Sequence, residues 1–282
     1  MKKGIRIKAF TETKSEEYFK SVKDAGFDGV ELTLNKHGPV NLNSTPKEIK
    51  HIKKSADLLG LKLYNPACGL YCNYNYTSFD PVIREKAKEI TKKQLEIASW
   101  LGCESISVIP GAVGIPFEPD SEIVDYDVAY ARCFDTLAQL APLAEKLHIQ
   151  LCIENVWNKF LLSPLEMRDL IDKINSAYVG AYFDVGNVLY CGYPEQWIKI
   201  LGNRIKKVRF KDYRRDVGTL SGFVDLLAGD VNYKAVMAGF KKIGYDGWVT
   251  AEMLPPYKQS PKTFLHNTAN AIEKIITEGK DL

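Results

Sequence analysis

The 282-residue chain lacks several features that would mark it at once. No run approaches the ~20 consecutive apolar residues of a membrane span. The first ten residues, MKKGIRIKAF, carry no apolar core of the secretory kind, so the expected location is the cytoplasm, with no membrane partner. No low-complexity segment or charge block is present, and 45% apolar with 26% charged residues excludes disorder, collagen and coiled coil as the main class. Charge of one sign is also missing. Lys plus Arg is 38 against 35 for Asp plus Glu, a net +3, which gives no basic field for nucleic acid. The six cysteines form no C-x-x-C pair; in a large cytoplasmic chain they read as reduced, mostly buried thiols. Only four histidines occur, His37, His51, His148 and His266. No G-x-G-x-x-G follows the first apolar run, which removes the main signal of a dinucleotide-binding sheet.

Short β-rich runs alternate with longer helical patterns along the whole chain. The strands expected are IRIKAF (5–10), GVELTL, LKLYNP, SISVIP, IQLCIEN, VGAYFDV, IKKVRF and WVTAEM. Helix starts are marked by Asp80-Pro81 and Ser163-Pro164, a capping side chain followed by proline at the first helical position. Further helices are expected from Ser15 to Gly26, Pro46 to Gly60, Tyr126 to Leu147 and Lys262 to Glu278. Leu137, Leu140, Leu143, Ala144 and Leu147 recur at helical spacing and read as a core face. Several strands are apolar on both pleat faces, as in a parallel sheet covered on both sides. Eight strand–helix units in a chain of this length favour a closed (β/α)8 TIM barrel, one domain over 1–282, over an open sheet.

In such a barrel the reactive groups stand at the C-terminal ends of the strands. Glu154 ends LCIEN, Asp184 ends AYFDV and Glu252 ends VTAEM; Arg209 and Lys211 lie in VRFKDY. A carboxylate beside an apolar run is costly without a partner. Three of them converging on the barrel mouth need a cation: a metal, a basic side chain or a shared proton.

The segments IENVWN, FDVGNV, VRFKDYRRD and GYDGWVTAEM resemble the sugar isomerase/epimerase branch of the xylose-isomerase-like TIM barrels. The nearest named activities are the ketose 3-epimerases and the hexulose-6-phosphate and xylulose-5-phosphate isomerases/epimerases. The resemblance spans nearly the whole chain and is strongest from about residue 149 to 256. It implies an isomerase or epimerase of carbohydrate metabolism that moves a proton through an enediolate, with a divalent metal held by Glu154, Asp184 and Glu252. Glu154 and Glu252 are then the catalytic acid/base pair. The family pattern in the seventh strand is H-x-K-D, whereas this chain has Arg209-Phe210-Lys211-Asp212. A guanidinium is always cationic and offers no lone pair. Two arrangements follow: a metal (Mn, Mg or Zn) on three carboxylates and water, or a metal-free site in which Arg209 pairs with the acids.

Asn155 and Asn187 beside the acids, Trp157 as a ring for an apolar sugar face, and Lys211 and Arg215 after the seventh strand are the substrate-binding candidates for a small sugar or sugar phosphate, Arg215 also by the resemblance. The segment 65–80 reads as a lid or as a contact in a homo-oligomer. Competing readings are a polyol dehydratase on the same scaffold, a catalytically silent sugar-binding protein, and an apurinic-site endonuclease, which would need histidines that the strand ends lack.

Overall fold

A computed structural model describes residues 1–6, 15–252 and 259–280. Its large sheet contains eight strands: β1 Lys2–Arg6, β2 Gly29–Leu34, β3 Lys62–Cys68, β4 Ser105–Val108, β5 Gln150–Glu154, β6 Val179–Asp184, β7 Ile205–Phe210 and β8 Trp248–Glu252. Their hydrogen-bonded order is β3-β2-β1-β8-β7-β6-β5-β4, with every described pair parallel. The expected TIM barrel is therefore present, and the strand runs match the expected ones to within a few residues. The last four residues of IRIKAF and Met253 of WVTAEM lie outside the described residues.

Helices α1 Ser15–Asp24, α2 Pro46–Leu58, α3 Pro81–Leu101, α4 Tyr126–Leu147, α5 Pro164–Ile174, α6 Pro194–Leu201, α7 Tyr233–Lys242 and α8 Pro261–Lys280 connect the strands or close the chain. The marked starts behave as capping chemistry requires. Asp80 accepts a hydrogen bond from the Val82 N–H at 2.8 Å, and Ser163 from the Leu165 N–H at 3.2 Å. The apolar stripe of α4 is core: Leu137, Leu140 and Ala144 are buried. Helices α6 and α7 are the two that periodicity did not single out. Each spans three turns or fewer, too short for a strong 3.6-residue signal. Their starts are nonetheless marked, by Pro194 in the first turn of α6 and by Asn232, which caps the Ala235 N–H at 3.0 Å.

Barrel closure between β3 and β4 uses side chains. No ladder joins these strands among the described residues. Pro66, in the middle of β3, has no N–H to give. Gln94 of α3 reaches into this seam, and its amide donates to the Pro66 carbonyl at 2.7 Å and to the Ser107 carbonyl at 2.9 Å. Ser105 adds a bond to the Asn65 side chain at 2.8 Å.

Segment 65–80 is anchored to α3 by two of its tyrosines. Tyr71 and Tyr76 are buried, and their hydroxyls meet Thr91 of α3 at 2.7 and 2.5 Å. Tyr71 also donates to Gln94 at 2.8 Å, so one glutamine ties the seam to this loop.

Gln94→Leu removes both donors and takes a partner from two buried carbonyls, while the Tyr71 hydroxyl keeps Thr91. Each unsatisfied group costs about 1–3 kcal/mol. The expected loss is about 2–4 kcal/mol of unfolding free energy in a urea titration. A variant within about 0.5 kcal/mol of wild type would show that the seam does not depend on this amide.

Candidate active site

Strand alternation sends every second side chain into the barrel. In β7 this puts Lys207 and Arg209 on one face, with Lys211 continuing the series just past the strand. In β8 it places Thr250 and Glu252 inward, in β6 Tyr182 and Asp184, and in β2 Glu31. Register then brings these groups to one level. Arg209 lies opposite Asp184 on one side and Thr250 on the other, and Arg6 of β1 lies opposite both Glu31 and Glu252.

The result is a network of four carboxylates and three cations. Arg209 is completely buried (0% exposed). One of its terminal nitrogens, Nη1, donates to Glu154 at 2.5 Å and to Glu252 at 3.3 Å; the other, Nη2, donates to Glu31. The Tyr182 ring lies 4.6 Å from the guanidinium, and the Tyr182 hydroxyl donates to Glu31 at 2.6 Å. Lys211 Nζ stands 2.9 Å from Asp184 Oδ2 and 2.8 Å from Glu252 Oε2, with Asn187 Oδ1 at 3.4 Å. The Asp184 contact is an ion pair without hydrogen-bond alignment. Arg6 Nη1 reaches Glu252 Oε1 at 3.1 Å. Four acids against three bases leave these seven groups with one net negative charge when every acid is ionised, and neutral when one acid holds a proton.

Burial dominates the ionisation of this network. It raises the Glu31 carboxyl above its usual range although Arg209 and Arg6 pull it down. Burial pushes Asp184 up to about 6, against the pull of Lys211. The same burial disfavours charged Lys211, but Asp184, Glu252 and Glu154 outweigh it, and the ammonium is held above its ordinary value. Burial also acts against the Arg209 charge and is overcome by Glu154, Glu31 and Glu252.

Above the network opens a chamber of about 380 Å³. Arg6, Glu154, Lys211 and Glu252 face it, together with Asn187 and Trp157. Arg209, Asp184 and Glu31 lie beneath and do not reach it. Asn155 and Asn187 act as braces. Asn155 Nδ2 donates to the Asp184 carbonyl at 2.9 Å, its Oδ1 accepts from the Asp184 N–H at 2.8 Å, and Asn187 Nδ2 donates to the Asn155 carbonyl at 2.8 Å. Trp157 donates to the Asn187 carbonyl at 3.0 Å and packs against Tyr190, Tyr213 and Phe223. Arg215 stands apart from the chamber. Its guanidinium lies 4.7 Å from the Tyr193 ring, and its backbone N–H donates to Asp230 at 2.8 Å.

Asp212 organises the loop after β7: its carboxylate accepts from the N–H groups of Tyr213, Leu227 and Val231 at 2.9–3.1 Å. The strand-end reading missed Glu31 and Arg6. Both carry a signal, a charged side chain on the inward face of an otherwise β-rich run.

Glu154, Asp184 and Glu252 offer oxygens within 4.8 Å of one another, the grouping a shared cation requires. The donor set for a divalent ion is nonetheless incomplete. The fourth position is Arg209, which gives no lone pair, and Arg209 and Lys211 already hold oxygens of all three carboxylates. In this packing the residues do not fit a divalent ion.

Fold and site together define a parallel β/α barrel with acid and base groups at its strand ends. The xylose isomerase-like TIM barrel family model matches residues 19–273, and the chain belongs to that family. It is 23% identical over 274 residues to SgbU of Escherichia coli K12, provisionally named an L-ribulose-5-phosphate 3-epimerase; the match covers 92% of this chain and 90% of that protein. It is 26% identical over 256 residues to a 2-oxo-tetronate isomerase of Pectobacterium atrosepticum, covering 87% and 88%. Among solved structures, an L-ribulose 3-epimerase superposes with a TM-score of 0.81 at 17% identity, over 99% of this chain and 96% of that one.

Replacing Arg209 by Met strips three buried carboxylates of their common counter-charge. Breaking a buried ion pair in this way costs about 3–5 kcal/mol. Arg209→Met is expected to lose at least that much unfolding free energy at neutral pH, read by denaturant titration. A loss below about 1 kcal/mol would mean that the acids do not depend on the guanidinium.

Proposed function

We propose that this protein is an isomerase or epimerase of ketose sugars that moves a proton at a carbon beside a carbonyl. The observation that carries this reading is the pair Glu154 and Glu252. They come from β5 and β8, with β6 and β7 between them in the sheet, and both present carboxylates to one chamber that an ammonium also faces. The names of the relatives, a ribulose-phosphate epimerase and an oxo-tetronate isomerase, support the same chemistry.

In this reading one of the two glutamates, as carboxylate, takes the proton. The C–H electron pair becomes the C=C bond of an enediolate, and the carbonyl π pair moves onto oxygen. The other glutamate, entering as the acid, returns a proton to carbon, and exchange with water restores both. Asn187 and Lys211 meet the sugar's oxygens, and the Trp157 ring packs against its apolar face. Asp184 and Asn155 act indirectly, by holding Lys211 and Asn187. A divalent ion enters only as a competitor for the same oxygens, and no step is assigned to it.

The substrate is read as an unphosphorylated sugar. Among the described residues, the cations lining the chamber are Arg6 and Lys211, and each is already paired with carboxylates. A phosphate dianion would bring two negative charges to cations whose charge carboxylates already meet, whereas neutral hydroxyls need only a hydrogen-bond partner.

The test is solvent-deuterium incorporation across ketoses and their phosphates, with and without Mn²⁺. Exchange into at least one free ketose is expected, with its phosphate at least tenfold poorer in kcat/KM. Glu154→Gln should lower exchange by about 10²–10⁴-fold, the usual contribution of a positioned acid or base. No exchange with any sugar under either condition would leave a sugar-binding protein without turnover.

A further inference from the structure

We propose that Lys211 takes the place of a metal ion at this centre: its ammonium holds the substrate's carbonyl oxygen and the enediolate oxygen formed from it, and the site works without a divalent cation. This rests on the isomerase or epimerase reading above and names the electrophile of that site.

Proton removal beside a carbonyl leaves negative charge on oxygen, and a fixed positive charge at that point lowers the barrier. Three features assign the charge to Lys211. It faces the chamber, whereas the guanidinium of Arg209 is sealed beneath it. It is aimed: Nζ is held between Asp184 and Glu252, with the Phe223 ring 5.4 Å away. Its backbone is fixed as well. The Tyr233 hydroxyl donates to the Lys211 carbonyl at 3.0 Å. Gly186 packs so closely that a Cβ there would lie 2.5 Å from Lys211 Cβ.

Arg209 completes the argument from below. Its two terminal nitrogens reach Glu31, Glu154 and Glu252, so it offsets one of the negative charges that would draw a metal, and Arg6 and Lys211 offset two more. The carboxylates left facing the chamber keep a neighbouring cation that is built into the chain. No co-reactant is needed, since a proton transfer with return to carbon is redox-neutral and the ammonium keeps its proton.

The experiment uses the full-length protein after chelator dialysis. The first measurement is Mn²⁺ binding by calorimetry and electron paramagnetic resonance, without substrate. Wild type is expected to bind more weakly than about 1 mM. Arg209→His, which replaces a permanent cation by a nitrogen donor, should bind at least 100-fold more tightly. The second measurement is binding of a four-carbon sugar hydroxamate, a mimic of the enediolate, to metal-free protein. Wild type should bind it, and Lys211→Met at least tenfold less tightly while keeping its circular dichroism spectrum.

Micromolar Mn²⁺ binding by wild type, hydroxamate binding that requires added Mn²⁺, or equal hydroxamate binding by Lys211→Met would each overturn the proposal. If Lys211→Met does not fold, the wild-type Mn²⁺ titration still decides the metal-free claim. Failure of the isomerase reading looks different. Lysine-dependent hydroxamate binding would then persist in protein that exchanges no sugar proton.

Discussion

A buried guanidinium surrounded by carboxylates organises the centre of this barrel. Arg209 touches acids carried by β2, β5 and β8, so one side chain couples strands that are not neighbours in the sheet. Desolvating such a charge is expensive, and only the surrounding acids make it tolerable. The dependence runs both ways. Without Arg209, Glu31 would be an acid buried in the barrel with only Arg6, at 3.9 Å, as a basic partner among the described residues. The guanidinium shape matters here, because two terminal nitrogens can serve separate carboxylates at once where an ammonium presents a single point charge.

Above this layer, a second set of interactions fixes the groups that open to the chamber. Asn155 and Asn187 lock the ends of β5 and β6 together through backbone contacts, so Asp184 is placed by main-chain geometry. Asp184 in turn holds Lys211. Asp212 gathers the N–H groups of the loop beyond β7, and this lets the chain turn directly after Lys211. The motif Arg-Phe-Lys-Asp thus divides its work along four consecutive residues. Arg209 neutralises the floor, Phe210 is buried on the opposite face of the strand, Lys211 faces the chamber and Asp212 shapes the loop.

The fold was legible in the sequence because its signals are local. Proline after a capping residue, apolar runs of strand length and their regular alternation with helical patterns survive without any knowledge of distant contacts. Helices α6 and α7 escaped because each is short, with apolar residues at too few turns to reveal a period. The site was half legible. Strand-end acids at 154, 184 and 252 stand out, since a carboxylate beside an apolar run needs an explanation. Glu31 and Arg6 follow the same rule but lie in the first two strands, and nothing local says that β1 and β2 curl round to meet β8 and β7. That proximity comes from barrel closure, a property of register and strand tilt that no single window of sequence contains. The role of Gln94 was hidden for the same reason: its partners, Pro66 and Ser107, lie on two different strands.

The substitution at position 209 also changes the thermodynamics of the centre. A site that waits for a metal leaves its acids repelling one another until the ion arrives, and the ion's binding energy then stabilises the fold. Here the compensating charge is covalently part of the chain, present as soon as β7 pairs with its neighbours. A divalent ion must displace it or bind against it. Two unit charges about 4 Å apart interact by roughly 4 kcal/mol at an effective dielectric near 20, and an ion shared by the three carboxylates would face two such cations with a double charge. Imidazole at position 209 would lift that penalty on one side and add a donor, so the single change from arginine to histidine alters both the attraction and the repulsion. The two alternatives at this position therefore correspond to two kinds of centre in the same barrel, one assembled by ligand binding and one assembled by folding.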